Sequence, residues 1–165
     1  MLKAIIEEQN LADKVVDFGI VRDVGAELDQ KMQEATSECD IVVTSGGVSM
    51  GELDLVKPYI EEKGHVFFGR LNMKPGKPTT FGKMNKSLIF ALPGNPVSSF
   101  VTSHLFLVRA AKILSGQLDR CDNQTIQVQL IPKTVKLDRE RPEYHRAVAI
   151  QQTGSNKVYA FSTGS

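Results

Sequence analysis

The sequence predicts an α/β fold: a three-layer α/β/α domain with a mainly parallel sheet over residues 1–116, followed by a small all-β, barrel-like unit over residues 117–165. Three observations carry that expectation. Short apolar runs, IVVT at 41–44 and SLIFAL at 87–92, alternate with stretches of helical period. Each run empties into a glycine-containing loop, as strands do when their carboxyl ends share one ligand crevice. After Gly116 the helical period stops and only alternating segments remain, with 117–123 as the linker.

Taken in order, Leu2, Ile5 and Ile6 repeat at helical spacing and predict an opening helix that needs a surface to pack on. KVVDFGIV at 14–21 reads as a strand, and Asp23 starts a polar turn into a helix over 26–37. DIVVTSGGVSMG at 40–51 reads as a buried parallel strand delivering a binding loop. There Gly46 and Gly47 permit positive φ and close approach of a ligand to bare backbone, and Ser45 and Ser49 add side-chain donors. A helix over 53–63 tolerates Pro58 in its first turn, and Gly64 closes it before a short strand at 65–68.

RLNMKPGKP at 70–78 has two prolines and a glycine in its last four residues, so it is expected to be an ordered loop, holding Arg70, Lys74 and Lys77. The strand at 87–92 ends in Pro93-Gly94-Asn95-Pro96, where Asn95 suits an N-cap and Pro96 a first helical position. A helix over 97–114 follows, with Val97, Phe100, Val101, Leu105, Val108 and Ala111 as its buried stripe. Its N-terminal N–H groups and Ser98 aim at whatever sits above the strand. Strands at 125–131, 144–151 and 157–161 complete the chain.

Composition bounds the partners. Lysine and arginine number 20 against 19 acids, a net charge of +1, so no global field draws nucleic acid or a membrane surface, and anion specificity must be local. Cys39 and Cys121 lie far apart without metal-ligand spacing and read as reduced thiols. No signal peptide and no membrane span are expected, which points to the cytoplasm. His65, His104 and His145 are scattered, and no activated nucleophile stands out, so the site is expected to position and neutralise phosphate. Asp54 has two readings: a helix-start carboxylate stabilised by the helix dipole, or a Mg²⁺ ligand beside phosphates.

TSGGVSMGELDLVKP, NMKPGKPTTFG and FALPGNPVSS, in that order and spacing, resemble the molybdopterin molybdotransferase family, which includes bacterial MoeA and the gephyrin E domain. The tail with RPEYHR and FSTGS resembles that family's C-terminal β domain. The resemblance implies an enzyme of molybdenum cofactor biosynthesis that takes adenylylated molybdopterin and molybdate, with Mg²⁺, and releases AMP. It implies that Ser45, Gly46, Gly47, Val48, Ser49 and Gly51 hold the pterin phosphate together with the Pro93, Gly94 and Asn95 turn. It likewise makes Asp54 the Mg²⁺-linked carboxylate, Lys74 and Lys77 the lysines of the molybdate and phosphate pocket, Ser98 a catalytic serine, and Arg141 the arginine brought to molybdate by the β domain.

The related adenylyltransferase branch usually carries Thr-Gly-Gly-Thr-Gly in its loop, so Val48 and Ser49 and the following β unit disfavour it. A gephyrin-type scaffold binding a receptor's cytoplasmic loop or a cytoskeletal partner is the alternative from another class. The family's N-terminal dimerisation region, the first strand of its pterin domain and the end of its β domain are missing from the match, so homodimerisation is expected of a full-length parent.

Overall fold

The computed structural model describes residues 1–21, 25–47, 55–131 and 137–164. Its main sheet has four strands: β1 (Ile41–Ser45), β2 (His65–Gly69), β3 (Thr80–Met84) and β4 (Ser87–Leu92), in the order β1-β4-β3-β2. β1 and β4 are parallel, in the register Val43↔Phe90 and Ser45↔Leu92. The other pairings, β3 with β4 and β2 with β3, are antiparallel, so the α/β class holds while the sheet is mixed rather than mainly parallel. The cause is local. TFGKM, of which sequence reading took in only TFG as the tail of a loop motif, forms β3, and the Asn85-Lys86 turn, with Asn85 at φ 52°, folds it straight back onto β4. A hairpin that short is necessarily antiparallel.

β4 is the central strand, and its alternation builds two cores. Ile89 and Ala91 face Leu28, Met32 and Ala35 of α2 (Gly25–Glu38) and Val56 and Ile60 of α3 (Val56–Lys63). Phe90 and Leu92 face the opposite layer with Leu107. There Ile5 of α1 (Leu2–Glu8) also packs with Val108 and Ala111 of α5 (Val108–Leu114). The opening helix thus finds its surface on the last helix of the same layer. Gly64 ends α3 as expected, but for a steric reason: at φ −152° its backbone is ordinary, and a Cβ there would collide with the Lys83 carbonyl oxygen.

Two expected elements differ. Residues 14–21 form no strand, because Gly19 turns at φ 75° and its N–H donates to Asp17 Oδ1 at 2.9 Å, which breaks the extended run. Phe18 and Val21 still pack on the first core. The helix predicted over 97–114 is α4 (Pro96–Thr102) and α5 joined by a π-helical turn, Ser103–Leu107. That turn resets the helical phase. Before it the inward residues are Ser99 and Thr102, followed by Ser103 at its first position, and Phe100 lies outside the stripe, exposed against His104 at 4.4 Å between ring centroids. Among the described residues, Pro96–Leu114 is the one helix long and apolar enough to cross a membrane. Its Leu107, Val108 and Ala111 are buried against the sheet layer, as in a core helix.

The second sheet holds β5 (Gln129–Ile131), β6 (Arg146–Gln151) and β7 (Val158–Gly164), ordered β5-β7-β6. β5 runs parallel to β7, and β6 antiparallel. Among the described residues it is open rather than barrel-like, with Val148, Ile150, Phe161 and Ile131 exposed on one face.

Candidate functional site

The register of the main sheet brings three loops to one edge. β1 and β4, being parallel, end side by side, and the ladder runs one step past β1 through the Gly46 N–H to Leu92 O at 3.0 Å. Gly46 and Gly47 stand at φ 92° and 67°, the conformations that call for glycine. The next loop presses on the first: a Cβ on Gly94 would lie 3.4 Å from the Gly46 Cα. Because β3 is antiparallel to β4, Thr80 lies beside Ala91, so the 70–79 loop leaves the sheet at this same edge. Pro93, Gly94 and Asn95 therefore sit with Ser45, Gly46 and Gly47, as expected.

Asn95 is the N-cap of α4, with Pro96 at the first helical position. Its Oδ1 accepts the N–H groups of Val97 at 3.0 Å and Ser98 at 3.2 Å. The Ser99 N–H goes to the Asn95 carbonyl, and the Ser99 hydroxyl donates to the Pro93 carbonyl. The expectation that free helix N–H groups meet an anion is thereby corrected at Val97 and Ser98, whose N–H groups are already satisfied by the cap.

The 70–79 loop is an ordered turn, as expected. Leu71 N–H donates to Lys77 O at 2.8 Å, Arg70 N–H to Thr79 O at 3.2 Å, and the Thr79 hydroxyl to Gly76 O at 2.7 Å. Gly76, at φ 110°, seats the turn on α4, since a Cβ there would stand 2.5 Å from Thr102 Cγ2. The loop also binds the β unit. Lys74 N–H donates to Pro142 O at 2.9 Å, and Tyr144 N–H to Lys74 O at 2.7 Å.

Between this loop and the segment before β6 lies a cleft of about 470 Å³ lined by Arg70, Leu71, Asn72, Lys77, Glu140 and Arg141. Three cations face it against one carboxylate. Neither Arg70 nor Lys77 forms an ion pair among the described residues. Arg141 Nη2 is held 2.8 Å from Asp138 Oδ2, and Asp138 Oδ1 accepts the N–H groups of Glu140 and Arg141. The Glu140 N–H, and then the Arg141 guanidinium, hold the Asp138 carboxyl below the ordinary carboxylate value. Lys74 is differently placed: its Nζ lies 2.8 Å from Glu143 Oε1 and 4.0 Å from Asp138 Oδ2.

Lys77 and Arg141 thus meet in one cleft, while Ser45, Gly46, Gly47 and Ser98 share the edge without lining it. Val48, Ser49, Gly51 and Asp54 lie outside the described residues. Sequence reading passed over Arg70 as a site residue and over Asp138 and Glu140 altogether, and took in Glu143 only within RPEYHR, with no role. The signal available was the set of acids flanking Arg141 at 138, 140 and 143. Among the described residues no group of three metal-ligating side chains gathers.

Residues 1–112 match the family described as "Probable molybdopterin binding domain". Gephyrin of Dictyostelium discoideum is 40% identical over 174 residues, an alignment covering 93% of this chain and 24% of that protein. The molybdenum cofactor synthesis protein cinnamon of Drosophila melanogaster is 40% identical over 137 residues, covering 82% and 22%. A molybdopterin molybdenumtransferase of Haemophilus influenzae is 40% identical over 116 residues, covering 70% and 28%. The chain spans about a quarter of the length of these curated relatives. In structure it resembles a MoeA protein of molybdopterin biosynthesis from Pyrococcus horikoshii, with a TM-score of 0.66 and 24% identity over 99% of this chain and 38% of that one. With most of its length matched and the three loops on one sheet edge, the chain belongs to the molybdopterin-binding domain family.

Proposed function

We propose that this chain takes part in molybdenum cofactor biosynthesis by inserting molybdate into adenylylated molybdopterin with release of AMP. The observation that carries the reading is the cleft lined by Arg70, Lys77 and Arg141, at a loop that leaves the sheet at the same edge as the two glycine loops. The division of labour follows from the donors present. Bare backbone at Gly46 and Gly47, with Ser45 and the implied Val48, Ser49 and Gly51, suits a phosphate, whose charge is fixed before reaction. Lys77, Arg70 and Arg141 suit an oxyanion, and planar guanidinium groups orient tetrahedral oxygens by paired N–H donors.

Ser98 and the Pro93-Gly94-Asn95 turn close the phosphate side, while Lys74, on the 70–79 loop, reaches across to Glu143 of the β unit. Two names among the relatives speak for the reaction, molybdopterin molybdenumtransferase and molybdenum cofactor synthesis protein. A receptor-binding scaffold and an adenylyltransferase gain no support from any particular observation. A place in the cytoplasm and a homodimeric parent belong to the same proposal.

Of the described acids nearby, Asp138 accepts N–H groups and pairs with Arg141, Glu143 pairs with Lys74, and Glu140 is the single carboxylate lining the cleft. These residues do not form a Mg²⁺ site among the described residues. Asp54 remains the carboxylate implied for it.

The test is a quench-flow measurement of AMP release from adenylylated molybdopterin, with and without molybdate. Molybdate-dependent release that falls about tenfold or more in Lys77→Ala and Arg141→Ala supports the assignment. Release that ignores both substitutions removes the cleft from the reaction.

A further inference from the structure

The acids behind the cleft divide the loop's two lysines. Glu143 is the most enclosed charge of the region, with its side chain 3% exposed, whereas Lys74 is 36% exposed. Its Oε1 meets Lys74 Nζ at 2.8 Å. Its Oε2 accepts the Asp138 N–H at 2.8 Å and lies 3.3 Å from His145 Nε2. A carboxylate so enclosed is costly to leave unpaired, so it anchors the pair from the acid side. The backbone agrees, since Lys74 and Glu143 form a bridge closed by N–H bonds to Pro142 O and from Tyr144. Three residues on, Lys77 points into the cleft and has no acid partner among the described residues.

We propose that Glu143 is a positioning residue: it holds Lys74 as the fastening between the 70–79 loop and the β unit, and leaves Lys77 as the loop's lysine for the oxyanion. The inference rests on the reading of the cleft as an oxyanion site and refines it. It departs from the expectation that both lysines serve the pocket alike. By drawing Lys74 against a carboxylate, Glu143 lowers the positive charge offered to the anion and fixes the β unit that carries Arg141.

The experiment is molybdate binding to the whole chain by titration calorimetry, comparing Lys77→Met, Lys74→Met, Glu143→Gln and the combined Lys74→Met/Glu143→Gln variant. Lys77→Met is expected to weaken binding about tenfold, and Lys74→Met less than about threefold. Glu143→Gln keeps the shape and frees Lys74, so it should tighten binding about threefold, and the combined variant should lose that gain. Equal losses from the two lysines overturn the proposal. So does tightening by Glu143→Gln that survives without Lys74, which would make Glu143 a through-space charge.

If the unsubstituted chain binds neither molybdate nor inorganic phosphate, the oxyanion reading falls and the fastening is judged without ligand. Amide exchange at Lys74 and Tyr144 should then quicken in Glu143→Gln and return towards the original rate in Glu143→Asp. Unchanged exchange overturns it. Where Glu143→Gln does not fold, Lys74→Met decides by the same exchange measurement.

Discussion

Asp138 shows how a single residue in the approach to β6 ties the site together. One oxygen accepts the N–H groups of Glu140 and Arg141, at 3.0 and 3.2 Å, and the other holds the Arg141 guanidinium at 2.8 Å. Each of these favours the ionised carboxylate, so its folded pKa lies below the ordinary 3.8. The sign follows: this stabilisation is complete above the unfolded value and is lost as pH falls through the lower folded one. The amide resonances of Glu140 and Arg141, titrated downward from neutral pH, should therefore shift with a midpoint below 3.8 and stay flat in Asp138→Asn. A midpoint at or above that value would mean the turn is open in solution. At this scale the site was legible where chemistry is local to the motif. Gly46, Gly47 and Asn95 announce a loop and a cap by residue type alone. The pairing of Lys74 with Glu143 was not legible, because 69 positions separate them and only the docking of the β unit brings them together.

Elements inherit their limits from such local rules, and α4 is the clearest instance. Its start depends on Asn95, whose Oδ1 satisfies the N–H groups of Val97 and Ser98. Asn95→Ala should lower stability by about 1 kcal/mol in urea unfolding, with the slope of the transition unchanged. Asn95→Asp should keep most of the stability, since a carboxylate also caps, yet weaken phosphate binding by putting negative charge beside Gly94 and Gly46. Loss of stability in Asn95→Asp equal to that in alanine would show that the cap hydrogen bonds contribute little. The strands at 41–45 and 87–92 were visible in sequence because burial on both faces leaves continuous apolar runs. β3 was hidden because its strand residues, TFGKM, are half polar and follow a proline-rich loop, and the Asn85-Lys86 turn is what converts them into a hairpin. Residues 14–21 failed in the opposite direction. Their apolar content suited a strand, but the Asp17–Gly19 turn interrupts it and Ile20 is left 96% exposed.

For the whole molecule, burial is distributed unevenly between the two sheets, and that predicts an order of opening. β4 is enclosed by helices on both faces, with Ile89, Ala91 and Leu92 at 0% exposure and Phe90 at 2%. In the β unit Ala160 is buried, while Val148, Ile150, Phe161 and Ile131 face outwards. Hydrogen bonds in a sheet that buries so little apolar surface are protected chiefly by the sheet itself, so the sheet opens at a lower free energy than the main core. Among the described residues a seam at Lys74 ties it to the main sheet's loop: two backbone hydrogen bonds and the ion pair to Glu143. Native-state hydrogen exchange should accordingly find the slowest amides in β4 and β1, intermediate ones in α5, and the fastest strand amides in β5, β6 and β7. Weakening the seam by Glu143→Gln should hasten exchange in β6 and β7 while leaving β4 at its original rate, because the two-sided core does not depend on the tail. Equal protection in β4 and β7 would show instead that the two sheets unfold as one unit, and that Arg141 is presented to the cleft by a rigid body rather than by a fastened and separable one.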